Sequence, residues 1–257
     1  MGRLEGQKVA VMGGDGFLGS RVVEFVKSRE GDATSITRAN YADLKGSSFD
    51  FFINANGNSK RFWANQNPEK DFEASFKRVE DSLRDFDYHV YFYFSSSDVY
   101  LNHGDPGQTI EGSASDPAVL EPYGRHKRMA ELIVEKLPRR AILRLSAMVG
   151  TGLRKGVIKD ILDGNALRVT PESHLQFITT DAVCEVLEKV VTDAENAILN
   201  VGGRGSIAIP EIEKIFGKAK YGDELQLQEY EMDVGKLAKI YPIKTSREYL
   251  TIYKETL

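Results

Sequence analysis

Hydrophobic and polar positions alternate along the first part of the chain in the way expected of strands and helices that follow one another. Short apolar runs predict five strands, at residues 8–14, 33–38, 49–57, 88–97 and 140–146. Apolar residues at helical spacing predict helices at 17–29, 67–86 and 122 to about 137. Strands that alternate with helices predict an α/β fold, a doubly wound, Rossmann-like parallel sheet covered on both faces. Only about ten residues join the second and third strands, so we expect an irregular connection there.

The predicted inward faces of the three helices follow from the same spacing. Asn67 is placed to cap the helix 67–86, with Pro68 in its first turn. The apolar positions expected to face the core are Leu18, Val22, Phe25 and Val26 in the first helix, Phe72, Phe76, Val79, Leu83 and Phe86 in the second, and Met129, Leu132, Ile133 and Leu137 in the third.

Beyond residue 150 the pattern becomes less regular. Helices are predicted at 155–165 and 181–193, with strands at 166–169, 175–179 and 197–203 and a mixed remainder to 257. We therefore expect a Rossmann-like dinucleotide-binding domain formed by 1–150 plus about 176–204. A small C-terminal substrate-binding lobe is expected from about 151–175 and 205–257.

Composition narrows the possible partners. A net charge of -4 over 257 residues gives no basic field that would recruit nucleic acid or an anionic membrane. The single cysteine, Cys184, excludes an internal disulfide, and no His or Cys group has the spacing of a metal site. No apolar run is long enough to span a bilayer, and the N-terminal residues lack a secretory pattern. A cytoplasmic protein without metal is expected.

The first strand runs into the glycine-rich stretch VMGGDGFLGS. Gly14, Gly16 and Gly19 form the pattern G-x-G-x-x-G, and Gly13, Gly16 and Gly19 form G-x-x-G-x-x-G. Glycines at this turn let the backbone approach a pyrophosphate, and the N-terminus of the following helix attracts its charge. Because the stretch follows a strand and opens an amphipathic helix, it predicts a dinucleotide site.

The end of the second predicted strand bears on which dinucleotide binds. A carboxylate there would bond the ribose hydroxyls of NAD, but the strand ends in Thr37 and Arg38, and Asp32 precedes it. The Arg38 guanidinium is suited to a 2′-phosphate. NADP(H) is therefore favoured, with NAD(H) possible.

The stretch EPYGRHK places Tyr123 and Lys127 four positions apart, hence on one face of a helix that Pro122 opens. A phenol with a pKa of about 10 is a poor base at neutral pH, and a cation one turn away favours its phenolate. Tyr123 can then take a proton from a hydroxyl or give one to a ketone while a hydride moves. The pattern indicates a catalytic pair.

Together, the glycine loop, YFSSSDVY and YGRHK resemble the extended short-chain dehydrogenase/reductase family, in its NAD-dependent epimerase/dehydratase branch, whose members modify nucleotide-linked sugars. The resemblance implies that Ser96 orients the substrate oxygen and that Lys127 bonds the nicotinamide ribose. Besides Arg38, Tyr123 and Lys127, it implies a cofactor site at Gly13, Gly16, Phe17, Leu18, Gly19, Asn56 and Gly57, and substrate contacts at Asn58, Ser97 and Ser146. It also implies a possible homodimer through helices 67–86 and 122–137.

Asp98 occupies the position of an extra acid/base in dehydratases and decarboxylases of this branch, although a loop aspartate that bonds backbone amides is an equal alternative. The asparagine usual after strand five is replaced near Ala147, and Ser146 matches the ketoreductase members. The arginine that commonly precedes the segment FI is absent too. Arg154, Lys155 and Arg168 are interpreted as surface charge, and His126 as part of a solvated helix face.

These observations leave several functional hypotheses. The leading one is an NAD(P)-dependent oxidoreductase or epimerase that acts on a nucleotide-activated sugar, with a preference for an NADP(H)-linked ketoreductase. The alternatives are a sugar-nucleotide 4,6-dehydratase or decarboxylase that recycles its NAD, and a non-catalytic dinucleotide-binding regulatory or scaffold protein.

Overall fold

A computed structural model describes residues 3–193 and 196–257. Its strands are β1 Lys8–Met12, β2 Asp32–Ile36, β3 Ser48–Asn54, β4 Asp87–Ser96, β5 Arg140–Leu145, β6 Ala147–Val149, β7 Ala166–Val169, β8 His174–Leu175, β9 Phe177–Thr179, β10 Ala197–Val201, β11 Ile207–Ala208 and β12 Lys220–Gln226. Its helices are α1 Phe17–Ser28, α2 Arg61–Gln66, α3 Pro68–Phe72, α4 Arg78–Asp85, α5 Pro122–Val134, α6 Val157–Asp163, α7 Thr180–Asp193, α8 Ile209–Phe216, α9 Gly235–Ala238 and α10 Ser246–Glu255.

Six strands form the main sheet, in the order β10-β5-β4-β3-β1-β2. The pairs β1/β2, β1/β3 and β3/β4 are parallel, so their carboxyl ends meet at one edge. Met12 pairs with both Ile36 and Asn54, and Asn54 pairs with Tyr93. This arrangement confirms the predicted α/β fold, and in such sheets ligands bind outside the carboxyl ends of the strands.

The chain divides into two compact units. The first comprises Met1–Leu101, Ala114–Arg144 and Cys184–Leu199, and the second comprises Asn102–Ser113, Leu145–Val183 and Asn200–Leu257. The first has a core that includes Phe52, Val79, Tyr91 and Ile142. The second has its own core, which includes Ile158, Phe177, Ile212 and Leu250, and it contains the strand pairs β6/β9, β8/β11 and β7/β12. Each unit therefore buries its own apolar cluster.

The predicted helix 67–86 forms over residues 68–85, with a π-helical turn at Glu73–Lys77 between α3 and α4. The most buried positions of this segment include Asp71, Ser75, Val79 and Ser82, whereas its phenylalanines at 72 and 76 are only half-buried. A π-turn contains an extra residue and so rotates the residues before it relative to those after it. The predicted stripe is therefore buried after the turn, at Val79 and Phe86, but not before it. The side chain of Asn67 does not cap α3; it donates to the Trp63 carbonyl at 3.0 Å.

The inward face of α5 also differs from the prediction. The buried positions are Tyr123, Gly124, His126, Lys127, Ala130, Glu131 and Val134. Leu132, predicted to face the core, is 37% exposed, and His126, interpreted as solvated, is only 6% exposed. Since Tyr123, Lys127 and Val134 lie on one face at helical spacing, the chemistry-bearing residues themselves define the side that packs on the sheet.

The end of β2 and the connection from β2 to β3 bear on two predictions from the sequence. Asp32 begins β2 and Ile36 ends it, so Thr37 and Arg38 follow the strand instead of closing it. Residues 37–47, all of them described, contain turns and no helix, which confirms the irregular connection. Among the described residues, no helix combines the length and the apolar character needed to cross a membrane.

Candidate active site

The glycine loop joins the carboxyl end of β1 to α1, whose N-cap is Gly16. A Cβ at Gly19 would overlap the carbonyl oxygen of Gly13, so only glycine allows α1 to pack this closely on the loop. A Cβ at Gly13 would lie 3.0 Å from the Ala55 carbonyl oxygen, in the segment that follows β3. The backbones of the loop and of its neighbours are therefore in contact.

The N-terminus of α1 is suited to an anion. Its first turn, which is fully described, holds no acidic side chain, and the helix is 12 residues long. Leu18 is buried in the core, and Phe17 is half-buried beside it. With the glycine cradle, these features fit the pyrophosphate of a dinucleotide. Phe17 and Leu18 could contribute only backbone amides to such a site.

Arg38 is exposed in the turn that follows β2. Asn40 organises this turn, because its side chain accepts a hydrogen bond from the Thr37 amide at 2.7 Å and donates to the Ser35 carbonyl at 2.9 Å. The Gly13 amide donates to the Ile36 carbonyl at 2.8 Å, which places the turn beside the glycine loop. The Arg38 side chain is thus available at the edge where the predicted dinucleotide site begins.

The side chains of Asn56 and Asn58, which follow β3 and are predicted to contact cofactor and substrate, form hydrogen bonds with the protein backbone. Asn56 donates to the Ala74 carbonyl at 3.1 Å. The side-chain oxygen of Asn58 accepts from the Lys60 amide at 2.9 Å. Both therefore shape the segment 55–60, and a contact to a ligand would come from its backbone or after rearrangement. Asn54, which the sequence analysis did not single out, supports this segment by accepting from the Asn56 amide at 3.0 Å.

Ser96, Tyr123 and Lys127 come together where β4 ends against the start of α5. Lys127 donates to the Phe94 carbonyl at 3.1 Å and lies 5.1 Å from the centre of the Tyr93 ring. A Cβ at Gly124 would overlap the Asp98 carbonyl oxygen, so glycine at this position allows α5 to approach the end of β4. This approach brings the Tyr123 phenol within hydrogen-bonding reach of Ser96.

The pKa of Tyr123 is raised above its ordinary value, and burial is the main cause. The Asp98 carboxylate raises this pKa further, while the hydrogen bond with Ser96 lowers it. The sequence predicts that Lys127 favours the phenolate, but burial of Tyr123 outweighs any such effect on its pKa. Tyr123 is therefore a phenol that holds its proton.

Burial lowers the pKa of Lys127 to about 8, because an ammonium is costly in an apolar environment. The carboxylates of Asp71, Glu131 and Asp98 oppose this shift. A lysine with such a pKa can give up and regain a proton near neutral pH.

Asp98 is the carboxylate nearest to this group. It accepts a hydrogen bond from the Ser96 hydroxyl at 2.8 Å, and Arg61 lies 3.5 Å from its other oxygen. The helix α2 also supplies Asn65, whose side-chain oxygen accepts from the Tyr123 amide at 3.1 Å. The sequence analysis singled out neither Arg61 nor Asn65, because a helix of six residues is too short to show an apolar period.

A second buried polar group adjoins Lys127 and was also missed. Asp71 is fully buried and lies 2.7 Å from Nδ1 of His126. Ser75 donates to the other oxygen of Asp71 at 3.0 Å and accepts from the Asn58 amide at 3.3 Å. The i, i+4 spacing of Asp71 and Ser75 was the available signal, but a polar pair on an amphipathic helix is normally assigned to solvent.

The other two predicted substrate residues are Ser97 and Ser146. Ser97 is buried in a 3₁₀ turn, where its carbonyl accepts from the Tyr100 amide at 3.1 Å. Ser146 belongs to the second unit, and its hydroxyl is 3.5 Å from the Ala147 carbonyl oxygen. Within the described residues, no three His, Cys, Asp or Glu side chains are grouped as metal ligands would be.

Several solved structures share this fold. The dTDP-4-dehydrorhamnose reductase of Bacillus anthracis, in complex with NADP, is 14% identical with a TM-score of 0.78 over 98% of this chain and 99% of its own. MoeE5, in complex with UDP-glucose and NAD, is 18% identical with a TM-score of 0.79 over 96% and 97%. The UDP-N-acetylglucosamine 4-epimerase of Methanobrevibacter ruminantium M1 is 16% identical with a TM-score of 0.76 over 98% of both chains.

At these identities the likeness concerns the fold alone. No curated protein matches the sequence. The family model of the NAD dependent epimerase/dehydratase family, however, matches residues 9–202, a span that includes the glycine loop, Ser96, Tyr123 and Lys127. The chain belongs to the NAD-dependent epimerase/dehydratase family.

Proposed function

We propose that this protein is an NADP(H)-linked ketoreductase that reduces a keto group on a nucleotide-activated sugar. The observation that carries the proposal is the buried group of Ser96, Tyr123 and Lys127, in which Tyr123 retains its proton. Lys127 adjoins Gly57, in the segment after β3 that also contacts the glycine loop. A phenol that holds its proton is suited to give it to a carbonyl oxygen as hydride arrives. Structures of similar fold bind NADP, NAD and a UDP-sugar, which supports the substrate class.

In the proposed reaction, the nicotinamide of bound NADPH supplies the hydride. Ser96 orients the substrate carbonyl oxygen, Tyr123 gives that oxygen a proton, and the Lys127 ammonium replaces the proton on Tyr123. The glycine loop and α1 hold the pyrophosphate. Substrate contacts by Asn58, Ser97 and Ser146, and a homodimer, stay predictions.

A substrate panel tests this proposal. NADPH oxidation is followed with dTDP-4-dehydrorhamnose and with UDP- and GDP-linked 4-keto-6-deoxyhexoses, and the products are identified by mass spectrometry. We expect stoichiometric NADPH consumption with at least one keto sugar. Dinucleotide retained after purification, together with turnover that consumes none, would contradict the reductase assignment.

A second candidate is an epimerase or dehydratase that recycles its cofactor. The observation in its favour is Asp98, which accepts from Ser96 and therefore lies beside the predicted reacting centre. A carboxylate there would serve as an additional acid or base. The same panel distinguishes the two, because only this candidate converts a UDP- or dTDP-hexose without net change in NAD(H) or NADP(H).

Arg38 is proposed to bind the 2′-phosphate of NADP(H). We expect Arg38→Ala to weaken NADPH binding by about tenfold or more, since a charge-assisted pair is lost, while NADH binding changes little. Fluorescence titration with each dinucleotide measures both affinities. Arg3→Ala, which alters another exposed arginine of the same unit, is the control. An equal loss for NADH and NADPH would contradict the assignment of Arg38.

The rate of keto-sugar reduction is expected to fall as the pH rises through about 8. Lys127 is protonated below its pKa of about 8, and only the ammonium can replace the proton that Tyr123 gives away. The maximal rate of NADPH oxidation between pH 6 and 10 tests this. A rate that rises through pH 8 would show that reduction does not need the ammonium.

A further inference from the structure

Reduction of a ketone by NADPH consumes one proton in every turnover, and here that proton leaves a buried residue. Tyr123 is 9% exposed and Lys127 is 6% exposed. After a turnover the tyrosinate takes a proton from Lys127, and the lysine amine must then recover one from water. The route by which a proton reaches Lys127 is therefore a functional question that rests on the proposed reductase activity.

A continuous polar chain leads from the surface toward Lys127. His126 lines an open depression on the protein surface together with Pro68, Glu69, Lys70, Phe72 and Glu73. Its Nδ1 is 2.7 Å from Asp71, and Asp71 accepts from Ser75 at 3.0 Å. Each link has hydrogen-bond geometry, and Asp71 and Ser75 are at most 1% exposed.

The inner end of this chain lies next to the lysine. A Cβ on Gly57 would be 3.2 Å from Nζ of Lys127 and 3.7 Å from Oγ of Ser75. Both polar atoms therefore lie beside Gly57, which has no side chain to fill the space next to them. A water molecule in that space, at van der Waals distance from the Gly57 Cα, would join them.

A buried aspartate in an apolar helix face is expensive, and a simple packing role does not require one. Hydrophobic residues of similar volume at positions 71, 75 and 126 would fill the same space. The π-turn at Glu73–Lys77 contains Ser75, and π-turns inside helices are frequent at functional sites. These features favour a functional reason for the polar chain.

We propose that His126, Asp71 and Ser75 form a proton-entry path that restores the proton of Lys127 after each reduction. Hydride from NADPH reduces the carbonyl carbon, and the Tyr123 proton completes the alcohol. Lys127 reprotonates Tyr123 and, through the water, takes a proton from Ser75. Asp71 takes the Nδ1 proton of His126 and passes a proton on to Ser75, and His126 takes one from solvent at its other ring nitrogen, so one proton enters for each NADPH oxidised.

The path predicts a kinetic signature that a positioning role would not produce. Tyr123 and, at neutral pH, Lys127 each hold a proton before the first turnover, so the first two turnovers need no entry path. In Asp71→Asn and His126→Ala we expect a burst of about two NADPH per site at the wild-type rate, followed by a steady rate lowered by about 10²-fold. Stopped-flow absorbance with NADPH and the keto sugar that the wild-type protein reduces measures both phases.

Rescue by a small base gives an independent readout. The His126→Ala variant opens the path to the surface depression, so added imidazole is expected to restore the steady rate in proportion to its concentration. It should leave the burst unchanged and should not rescue Asp71→Asn. Lys70→Gln, an exposed change beside the same depression, is the control and should behave as the wild type.

The outcomes separate the two proposals. Equal slowing of the burst and of the steady phase in the variants would indicate a structural role for these residues. Unchanged steady rates would show that Tyr123 is reprotonated directly from solvent. Either result overturns the proposed proton-entry path but leaves the proposed reductase activity intact. A wild-type protein that turns over without net proton uptake overturns both. The burst amplitude also reports the fraction of folded sites, so a folding defect is recognised.

Discussion

Replacement of Tyr123 by phenylalanine is expected to lower the rate of keto-sugar reduction by about 10³-fold while dinucleotide binding is retained. The phenol is the only proton donor proposed for the carbonyl oxygen, and a positioned acid or base typically contributes about 10²- to 10⁴-fold. The side chain is 9% exposed, and phenylalanine fills the same space, so little stability should be lost. Single-turnover NADPH oxidation and fluorescence titration with NADPH measure the two effects.

Tyr88→Phe is the matched control for this prediction. Tyr88 lies on the same strand as Ser96, and its hydroxyl is 3.5 Å from the Leu83 carbonyl oxygen, a weak contact. We expect this variant to reduce the keto sugar at the wild-type rate. If Tyr123→Phe reduces the keto sugar at the full rate, Tyr123 is not the acid. If the wild-type protein shows no turnover and Tyr123→Phe keeps all of its other functions, the non-catalytic regulatory or scaffold hypothesis is favoured.

The largest effect on stability is expected from Glu131→Gln. Glu131 accepts two hydrogen bonds from Arg144, at 2.9 and 2.8 Å, and the two residues are 0% and 1% exposed. Glutamine keeps the size but leaves the Arg144 cation buried without a full countercharge. Breaking a buried pair in this way costs about 3–5 kcal/mol in the free energy of unfolding, which urea denaturation measures.

Two further variants test the reason for this effect. Glu135→Gln removes a more exposed carboxylate that pairs with Arg128, and we expect a change below about 1 kcal/mol. The double variant Glu131→Leu with Arg144→Met removes both charges and should recover much of the lost stability, because the cost arises from the unpaired Arg144 charge. Arg128, which also donates to Glu131 at 2.9 Å, keeps Glu135 as its partner in this variant. A double variant less stable than Glu131→Gln would mean that packing around the pair, and not charge, dominates.

Local periodicity was sufficient to predict the fold class. The runs at 8–14 and 88–97 became β1 and β4, and the pattern at 17–29 became α1 with each predicted core residue buried. Such patterns are reliable because burial on one side imposes a period of two or 3.6 on the residues themselves. The predicted fold and the family were both confirmed.

The same patterns were misleading for the helices that carry the predicted site. The π-turn at Glu73–Lys77 rotates the part of the helix before it relative to the part after it, so the buried face holds Asp71 and Ser75 where phenylalanines were expected. Likewise, His126 was interpreted as solvated because a histidine between charged residues usually is. Asp71 and His126 are hydrogen-bonded partners from different helices, and neither position in the sequence indicates this pairing.

By itself, the sequence determined that this chain forms a parallel α/β sheet, places a glycine loop after the first strand, and carries Ser96, Tyr123 and Lys127 in an order that predicts reduction chemistry. Only the tertiary structure decided the surroundings of these groups: Asn65 and Arg61 from α2 beside Tyr123 and Asp98, and the His126–Asp71–Ser75 chain beside Lys127. The physical reason is the distance along the chain over which each property is determined. Periodicity and turns depend on neighbours within a few residues, whereas the burial, the pKa and the partners of Lys127 depend on contacts between elements that are far apart in sequence. Lys127 and its partner Phe94 are 33 residues apart, and His126 and Asp71 are 55 residues apart.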